Sequence, residues 1–347
     1  MSEQDDRHAW TRSGAFEVAP GVWRIPAVLP MDGLRAVNIY ALADGGGLTL
    51  IDGGWALDEA RNALVDGLSA IGAELGDVRR FLVTHHHRDH YTNAIAVRRE
   101  YGTPVLLGEG ERDALEVITG PAPPGLRRHL ALLAKHGAQP VVDTLIGLGL
   151  GGDLRDPDYE MPDEWIKDGG TFQVGDRVLE AIHTPGHTRG HVVFADREAG
   201  LLFAGDHVLP HITPSIAFEM DPSPMALRDY LGALRTVRAL PDMELLPAHG
   251  PVGGRVHARV DELLAHHDHR LTEIADQLSA DGLDAYTAST RIPWTSRRRN
   301  FADLDPFNQM LAVCETAVHL ELLVHQGRAT AHEAEGIRRY RAVGLPA

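Results

Sequence analysis

A run of histidines beside one aspartate is the part of the sequence best suited to chemistry. It reads Thr84-His-His-His-Arg-Asp-His90 and follows an apolar segment that is predicted to be a buried strand. A tag remnant would instead lie at a terminus, and a solvated histidine-rich turn would lack the preceding apolar strand. Imidazole nitrogens and a carboxylate are ligands that suit Zn²⁺, Fe²⁺ or Mn²⁺. The side chains that would provide them here are His85, His87, Asp89 and His90.

Three later segments could supply the further ligands of a two-metal site. His187 lies in Thr184-Pro-Gly-His-Thr-Arg-Gly-His191, after a predicted strand, and Asp206 follows the apolar residues 202–205. His249 lies in the exit loop of the last predicted strand. Taken alone, each has a plain structural alternative, because Gly-Asp is a common turn and a lone histidine is more often structural. Four such segments in this order favour a metal centre.

The four segments resemble those of the metallo-β-lactamase superfamily, and most of all its glyoxalase II-type hydrolases. The resemblance spans about residues 22–251, roughly two thirds of the chain. It implies an α/β (α+β four-layer) fold, the αβ/βα sandwich, in which two mixed sheets pack together and helices cover them on the outside. The metals would bind at one edge of this sandwich.

The resemblance also implies which residues hold two divalent ions, with Zn²⁺ favoured and iron or manganese as alternatives. The implied ligands are His85, His87 and His187 for the first ion, Asp89, His90 and His249 for the second, and Asp206 as the bridge between them. Asp52, in Leu50-Ile-Asp-Gly-Gly54, matches the aspartate that supports the metal-binding loop in this family. Its alternative is a turn residue before a helix.

The reaction class implied by such a site is metal-assisted hydrolysis. Two divalent ions about 3.5–4 Å apart lower the pKa of a bridging water, and the resulting hydroxide attacks a carbonyl or phosphoryl centre. Asp89 or Asp206 would relay a proton, so these two are the predicted catalytic residues. The sequence has no G-x-S-x-G motif that would indicate a serine nucleophile.

The first prediction for the substrate is a thioester or ester of a small acyl group, and the alternative is a lactone or another carboxylic ester. A phosphodiesterase or nuclease is less favoured, because the net charge is −16 and the arginines at 297–299 are typical of a solvated patch. A β-lactamase is disfavoured, since no signal peptide is recognised. From a different class, the site could store or sense metal without catalysis.

The composition indicates which partners and which cellular compartment to expect. The 33 basic against 49 acidic residues argue against nucleic-acid partners and an anionic membrane surface. Cys314 is the only cysteine, so no disulfide can form within one chain, which favours a reducing compartment. The start, MSEQDDRHAW, is acidic and polar, and no apolar run approaches the ~18 residues of a membrane span. We therefore expect a cytoplasmic protein with a small-molecule acyl substrate and no membrane.

The elements that position these residues alternate between strands and helices, which indicates a layered α/β domain over residues 1–254. Apolar steps of three and four from Leu57 to Ile71 predict an amphipathic helix, and another helix is predicted over about 92–101. The predicted strands lie at residues 22–25, 37–42, 48–51, 81–84, 105–107, 171–174, 178–182, 191–194, 201–204 and 245–247.

Two regions lie outside this alternation. Residues of about 109–170 are predicted to be an insertion, in which a helix near Leu130 and a glycine-rich stretch at 147–152 would form a lid and its hinge. Its apolar side chains, with Trp165, would favour a hydrophobic acyl group. Residues 255–347 show only helical patterns, and their apolar stripe from Met310 to Val324 predicts a pocket wall or a homodimer interface.

The remaining histidines are given lesser roles. His86 is expected at the surface or behind the ligands, and His191 is expected to be structural or to support the His187 loop. His207 and His211 could line the pocket, although this is not the favoured interpretation. A solvated helix face is expected for three further residues, His266, His267 and His269.

Overall fold

Strands and helices alternate through the first two thirds of the chain in a computed structural model. The model describes residues 8–30, 33–121, 123–150, 156–216, 218–219, 223–295 and 298–343. The strands are β1 (Phe16–Ala19), β2 (Val22–Val28), β3 (Ala36–Asp44), β4 (Gly47–Ile51), β5 (Val78–Val83), β6 (Val105–Gly108), β7 (Glu164–Ile166), β8 (Thr171–Val174), β9 (Arg177–His183), β10 (Val192–Asp196), β11 (Leu201–Gly205), β12 (Glu244–Pro247), β13 (Gly254–Arg255), β14 (Ala329–Ala334) and β15 (Ile337–Ala342). The helices are α1 (Asp58–Ala70), α2 (Arg88–Tyr101), α3 (Arg112–Ile118), α4 (Arg127–Lys135), α5 (Gln139–Gly147), α6 (Ala226–Arg238), α7 (Val256–Ala275), α8 (Ala285–Arg291) and α9 (Pro306–His325).

The strands form two large mixed sheets. The first has the order β1-β2-β3-β4-β5-β6-β7, antiparallel from β1 to β4 and parallel from β4 to β7. The second has the order β13-β12-β11-β10-β9-β8, and only its β11–β12 pair is parallel. In each sheet a parallel pair brings carboxyl ends of strands to one edge, so side chains that follow β5, β11 and β12 can meet there.

Strand alternation places each sheet between two apolar layers. Leu82 of β5 packs between the sheets with Phe203 of β11, whereas its neighbours on β5 face α1 and α2. On β11, Leu202 and Ala204 face the helices that cover the second sheet. The result is the four-layer αβ/βα sandwich that the sequence predicted, and the prediction of the fold class is confirmed.

The C-terminal helices α7 to α9 pack over the second sheet. The predicted stripe of α9 is buried within the same chain, with Met310 and Leu320 both 0% exposed. The stripe therefore needs no second copy of the chain to cover it, and the homodimer stays a prediction. Across the described residues, we find no helix of the length and apolarity required to traverse a lipid bilayer.

The prediction that only helices follow residue 255 is wrong for residues 329–342. These residues form the antiparallel hairpin of β14 and β15. Glu335 and Gly336 have φ angles of 55° and 76°, the left-handed conformations that a two-residue hairpin turn requires. The missed signal was weak, because most residues of β14 are small or polar rather than β-branched.

The insertion returns to the first sheet earlier than predicted. β7 pairs in parallel with β6, so residues 164–166 belong to the sheet. Trp165 lies there beneath the Arg112 guanidinium, 4.5 Å from the ring centre, rather than in a lid. Leu130 and Leu133 of α4 pack in the same core as the C-terminal helices. Part of the predicted hinge, residues 151–152, lies outside the described residues, and the lid stays a prediction.

Candidate metal centre

The seven predicted ligand residues meet at one edge of the sandwich. His85 and His87 lie in the loop after β5, and Asp89 and His90 lie in the first turn of α2, which begins at Arg88 rather than near residue 92. The other three residues follow strands of the second sheet. His187 follows β9, Asp206 follows β11 and His249 follows β12.

Backbone hydrogen bonds hold the two sheets together at this edge. Val192 N–H donates to the Thr84 carbonyl at 2.9 Å, which connects the start of β10 to the exit of β5. Asn38 N–H donates to the Ala248 carbonyl at 2.7 Å, which connects β3 to the exit of β12. The loops that carry the ligands are therefore fixed by main-chain contacts and not only by their side chains.

Three imidazoles and one carboxylate oxygen form a first donor set. His87 Nδ1 lies 3.0 Å from His85 Nε2 and 3.0 Å from His187 Nε2. Asp206 Oδ2 lies 3.4 Å from His187 Nε2. His85 and His187 are almost fully buried, and His87 is half-buried.

The other oxygen of Asp206 belongs to a second donor set. Asp206 Oδ1 lies 3.3 Å from His249 Nε2 and 3.7 Å from His90 Nε2. Asp89 Oδ2 closes this set from the opposite side, 3.3 Å from His249 Nε2 and 3.5 Å from His90 Nε2. The two oxygens of one carboxylate thus face two different groups of ligand atoms.

Backbone carbonyls orient three of the rings. A carbonyl can only accept, so the ring nitrogen that faces it carries the proton, and the nitrogen that faces the site is left with a lone pair. In each of these three rings, one nitrogen therefore faces the site and can bind a cation. The three contacts are His87 Nε2 to the Phe218 carbonyl at 3.1 Å, His187 Nδ1 to the Ser215 carbonyl at 2.8 Å, and His249 Nδ1 to the Ala36 carbonyl at 2.8 Å.

Asp52 orients the fourth ring and the loop before it. Its Oδ2 lies 2.8 Å from His90 Nδ1, and its Oδ1 accepts the Thr84 N–H at 2.8 Å. The Thr84 hydroxyl also bonds Asp52 and lies 3.0 Å from His85 Nδ1. Asp52 adopts φ 61°, a left-handed conformation that aspartate tolerates better than most residues. Asp52 therefore contacts the loop that carries the ligands, which is the supporting role that the resemblance implied.

The residues present fit divalent cations. Neutral imidazoles that face each other with lone pairs at 3.0 Å repel unless a cation lies between them. In the second set, His90 Nε2, His249 Nε2 and Asp206 Oδ1 are buried and have no hydrogen-bond partner among the described residues. A buried polar atom without a partner is costly, and a metal ion would satisfy all three. Imidazole and carboxylate together are the ligands of zinc and related ions.

The electrostatic environment differs between the two sets. Burial lowers the pKa of His87 to about 3 and holds the pKa of His85 and His187 well below the usual range, so these rings are neutral. Burial also opposes charge on His90, but the carboxylates of Asp89 and Asp52 outweigh it and raise its pKa to about 10. The carboxylates of the second set therefore favour a positive charge beside them, which is a proton when no metal ion is bound.

Two other histidines support the ligand loops. His86 is buried rather than exposed, and its Nδ1 lies 2.7 Å from Glu111 Oε2. His191 Nδ1 lies 2.8 Å from the Thr184 hydroxyl, and its Nε2 accepts the backbone N–H of Asp206 at 3.1 Å. His191 thus fixes the start of the segment that carries the shared carboxylate.

The structure also places the other five histidines that the sequence analysis named. His207 is buried against the ring of Tyr230, and His211 is exposed. The solvated helix face is wrong for His267, which is buried and lies 3.2 Å from His319, because α7 packs on α9. His269 is exposed as expected, and His266 is half-buried.

An aromatic wall beside the first donor set was not predicted. The Phe218 ring lies 6.2 Å from that of His87, 5.2 Å from that of His129 on α4, and 5.3 Å from that of Phe307 on α9. The insertion and the C-terminal helices therefore both approach the site through Phe218. No sequence signal marked it, because its contribution is one carbonyl and one ring that tertiary packing brings to His87.

Comparisons with known proteins match both the sequence and the fold of this chain. A family model described as the metallo-beta-lactamase superfamily matches residues 32–249. A solved metallo-beta-lactamase family protein of Thermus thermophilus superposes with a TM-score of 0.76 and 26% identity, over 94% of this chain and 100% of that one. That coverage extends beyond residue 255, so the C-terminal region is part of the shared architecture.

Two relatives carry functional names. The chain is 24% identical over 309 residues to a probable metallo-hydrolase of Bacillus subtilis, which covers 85% of this chain and 90% of the relative. It is 26% identical over 255 residues to a protein of Aspergillus fumigatus named atrochrysone carboxyl ACP thioesterase. That match covers 73% of this chain but only 47% of the relative, so the chain spans about half of the fungal protein's length.

Proposed function

The chain belongs to the metallo-β-lactamase superfamily, and from this premise we propose that it is a hydrolase that uses two divalent metal ions to cleave the thioester of an acyl substrate. The reaction adds water across the acyl–sulfur bond and yields a carboxylate and a thiol. An oxygen ester of the same acyl group is the related substrate.

One observation carries the proposal of two ions. Asp206 Oδ2 lies 3.4 Å from an imidazole of the first set, and Asp206 Oδ1 lies 3.3 Å from an imidazole of the second. A carboxylate shared in this way could help to hold two cations, since each oxygen can serve one of them. A site for a single ion would leave one group of converging nitrogens without a function.

The protein's own residues would hold and orient the ions. The first position would be held by His85, His87 and His187, the second by Asp89, His90 and His249, and both by Asp206. Ions bound there supply Lewis-acid chemistry, which polarises a carbonyl and makes water nucleophilic near neutral pH. Asp52 and the backbone carbonyls bind the far nitrogens of these rings and so turn the near nitrogens toward the site. Zn²⁺ is the favoured ion because imidazole and carboxylate ligands suit it, with iron or manganese as alternatives.

The two carboxylates of the site are the proposed catalytic residues. The Asp89 side chain is 15% exposed and that of Asp206 is 8% exposed, so Asp89 has the better contact with solvent. We assign to Asp89 the exchange of a proton with bulk water, and to Asp206 the alignment of the two halves of the site.

Two features support an acyl thioester as the substrate. The aromatic wall of Phe218 and Phe307 lies beside the first donor set and offers an apolar surface to an acyl chain. The fungal relative at 26% identity is named as a thioesterase. The net charge of −16 disfavours a polyanionic substrate such as nucleic acid.

A substrate screen on metal-quantified protein tests the proposal. Acyl thioesters, oxygen esters, lactones and phosphodiesters are compared before and after removal of metal, with His87→Ala as the disrupted variant. His269→Ala is the control, because His269 is an exposed histidine on α7. We expect metal-dependent turnover with the highest kcat/KM on a thioester, lost in His87→Ala and retained in His269→Ala. Preference for lactones or phosphodiesters would contradict the substrate, and metal-loaded protein without turnover would favour storage or sensing.

A further inference from the structure

Two stretches of backbone approach unusually closely behind the first donor set. Residues 108–111, at the exit of β6, lie directly against residues 189–190, which precede β10. A Cβ at Gly190 would lie 2.1 Å from the Glu111 nitrogen, and a Cβ at Gly108 would lie 2.1 Å from the Gly190 oxygen. Only glycine permits this approach. It brings the Glu111 side chain, which is 0% exposed, in behind the metal-binding loops.

Glu111 contacts both loops that carry the first donor set. Its Oε2 lies 2.7 Å from His86 Nδ1, and its Oε1 accepts the hydroxyl of Thr188. His86 lies between two predicted ligands, and Thr188 directly follows the third. One carboxylate therefore connects the loop after β5 to the loop after β9.

A second buried carboxylate extends this connection to the aromatic wall. Glu219 Oε2 accepts the backbone N–H of Arg189 at 3.2 Å, and its Oε1 lies 3.7 Å from Arg189 Nε. The preceding residue, Phe218, accepts a hydrogen bond from His87 through its carbonyl. Three chain segments that surround the first donor set are thus joined through two buried acids.

The second donor set has supports of its own apart from Glu111. His90 is fixed by Asp52 and His249 by the Ala36 carbonyl. None of the hydrogen bonds that we describe for Glu111 reaches these residues. Loss of Glu111 should consequently disturb one half of the site and spare the other.

We propose that Glu111 is a positioning residue that holds the His85–His87 loop against the His187 loop and so sets the geometry of the first metal position. The inference rests on the proposed two-ion site. Without the carboxylate, the two loops lose their common partner. Glu111 then no longer helps to hold His85 Nε2 and His187 Nε2 each at 3.0 Å from His87 Nδ1. Outer residues of this kind typically contribute 10- to 100-fold to metal affinity.

A double-mutant cycle read out by Co²⁺ affinity tests the inference. Glu111→Ala is made in a His249→Ala background, which retains the first set, and in a His87→Ala background, which retains the second. Affinity is measured by competition with a chelator and the visible absorption of bound Co²⁺. We expect a loss of about 10- to 100-fold in the His249→Ala background and less than about 3-fold in the His87→Ala background.

Three further variants exclude a general loss of stability. Asp196 lies at the end of β10, away from both loops, and its buried carboxylate pairs with Arg177 of β9 at 2.6 Å. Asp196→Ala should therefore leave the Co²⁺ affinity unchanged. Glu111→Gln retains an acceptor for His86 and should recover most of the affinity. Thr188→Val removes one contact of Glu111 and should weaken the first position by a smaller factor, which decides the question if Glu111→Ala does not fold.

The outcomes separate this inference from the proposed function. If Glu111→Ala lowers the Co²⁺ affinity equally in both backgrounds, or lowers it in neither, the proposed role of Glu111 is wrong. The proposed function would still stand if the wild-type protein binds two ions. Wild-type protein that binds no ion would contradict the proposed function and this inference with it.

Discussion

The two oxygens of Asp206 show how one residue can define a site. Asp206 follows β11 directly, and its backbone N–H is held by His191 at 3.1 Å, so the side chain has little freedom. Each oxygen then faces a different set of ligand atoms. The role of Asp206 as a ligand could be predicted from the sequence. Which set of ligand atoms each of its oxygens faces is a property of the folded chain.

At the residue scale, Glu219 gives a prediction about pH. Burial, assisted by the nearby Glu111 carboxylate, raises the pKa of Glu219 to about 7. The folded state then retains a proton that the unfolded chain loses near pH 4.5. The stability that this proton uptake gives the folded state is therefore fully present below pH 4.5 and is lost as the pH rises to 7. Glu219→Gln should match the wild type near pH 4.5 and exceed its free energy of unfolding by roughly 2–3 kcal/mol at pH 8.

Denaturant unfolding of metal-free protein across this pH range measures the difference. Glu59→Gln on the surface of α1 is the matched control and should follow the wild-type curve. Parallel pH profiles for the wild type and Glu219→Gln would contradict the assignment of a buried, proton-retaining carboxyl at this position.

At the element scale, the strand ends and several helices could be predicted, but the exact helix starts and the packing of the helices could not. The strands before His85, Asp206 and His249 are compact apolar runs followed by polar residues, a local signal that survives folding. The start of α2 was predicted late because its first turn, with Asp89 and His90, is polar and reads as loop. Local sequence carries no information about which helix packs on which loop.

The ring orientations were also beyond prediction from sequence. The carbonyls of Ala36, Ser215 and Phe218 fix three ligand histidines, and any residue type can supply a carbonyl. Glu111 is a similar case, since it lies at the start of the insertion with no ligand-like spacing around it. Such contacts depend on tertiary structure rather than on side-chain pattern.

Phe307 on α9 tests whether the C-terminal region forms a wall of the pocket. Its ring is 40% exposed and lies 5.3 Å from Phe218 at 80°. Phe307→Ala should lower kcat/KM for a long-chain acyl thioester about 3- to 10-fold more than for an acetyl thioester, because roughly 1 kcal/mol of apolar contact is lost. The metal content should not change, since Phe307 is not one of the proposed metal ligands.

Kinetics on an acyl series provide the measurement. Phe16→Ala is the control, because Phe16 is 38% exposed on the edge strand β1, which carries no ligand. A uniform loss along the series, or the same loss in Phe16→Ala, would place the acyl chain elsewhere.

At the scale of the whole molecule, insertion and C-terminal region form one core with the second sheet. Leu133 of α4, Leu234 of α6 and Leu320 of α9 belong to the same buried cluster. Deleting the insertion would therefore expose part of this core, and point substitutions are the cleaner test of the lid. The predicted homodimer no longer follows from the α9 stripe, because that stripe is covered within the chain.

The number of metal ions per chain tests the central claim most directly. Protein saturated with Zn²⁺ and dialysed to equilibrium is analysed for metal beside Asp206→Ala. Because Asp206 serves both donor sets, we predict close to two equivalents for the wild type, and the loss of at least one equivalent and most hydrolysis in the variant. A saturated wild-type chain that holds a single ion would contradict the two-ion site.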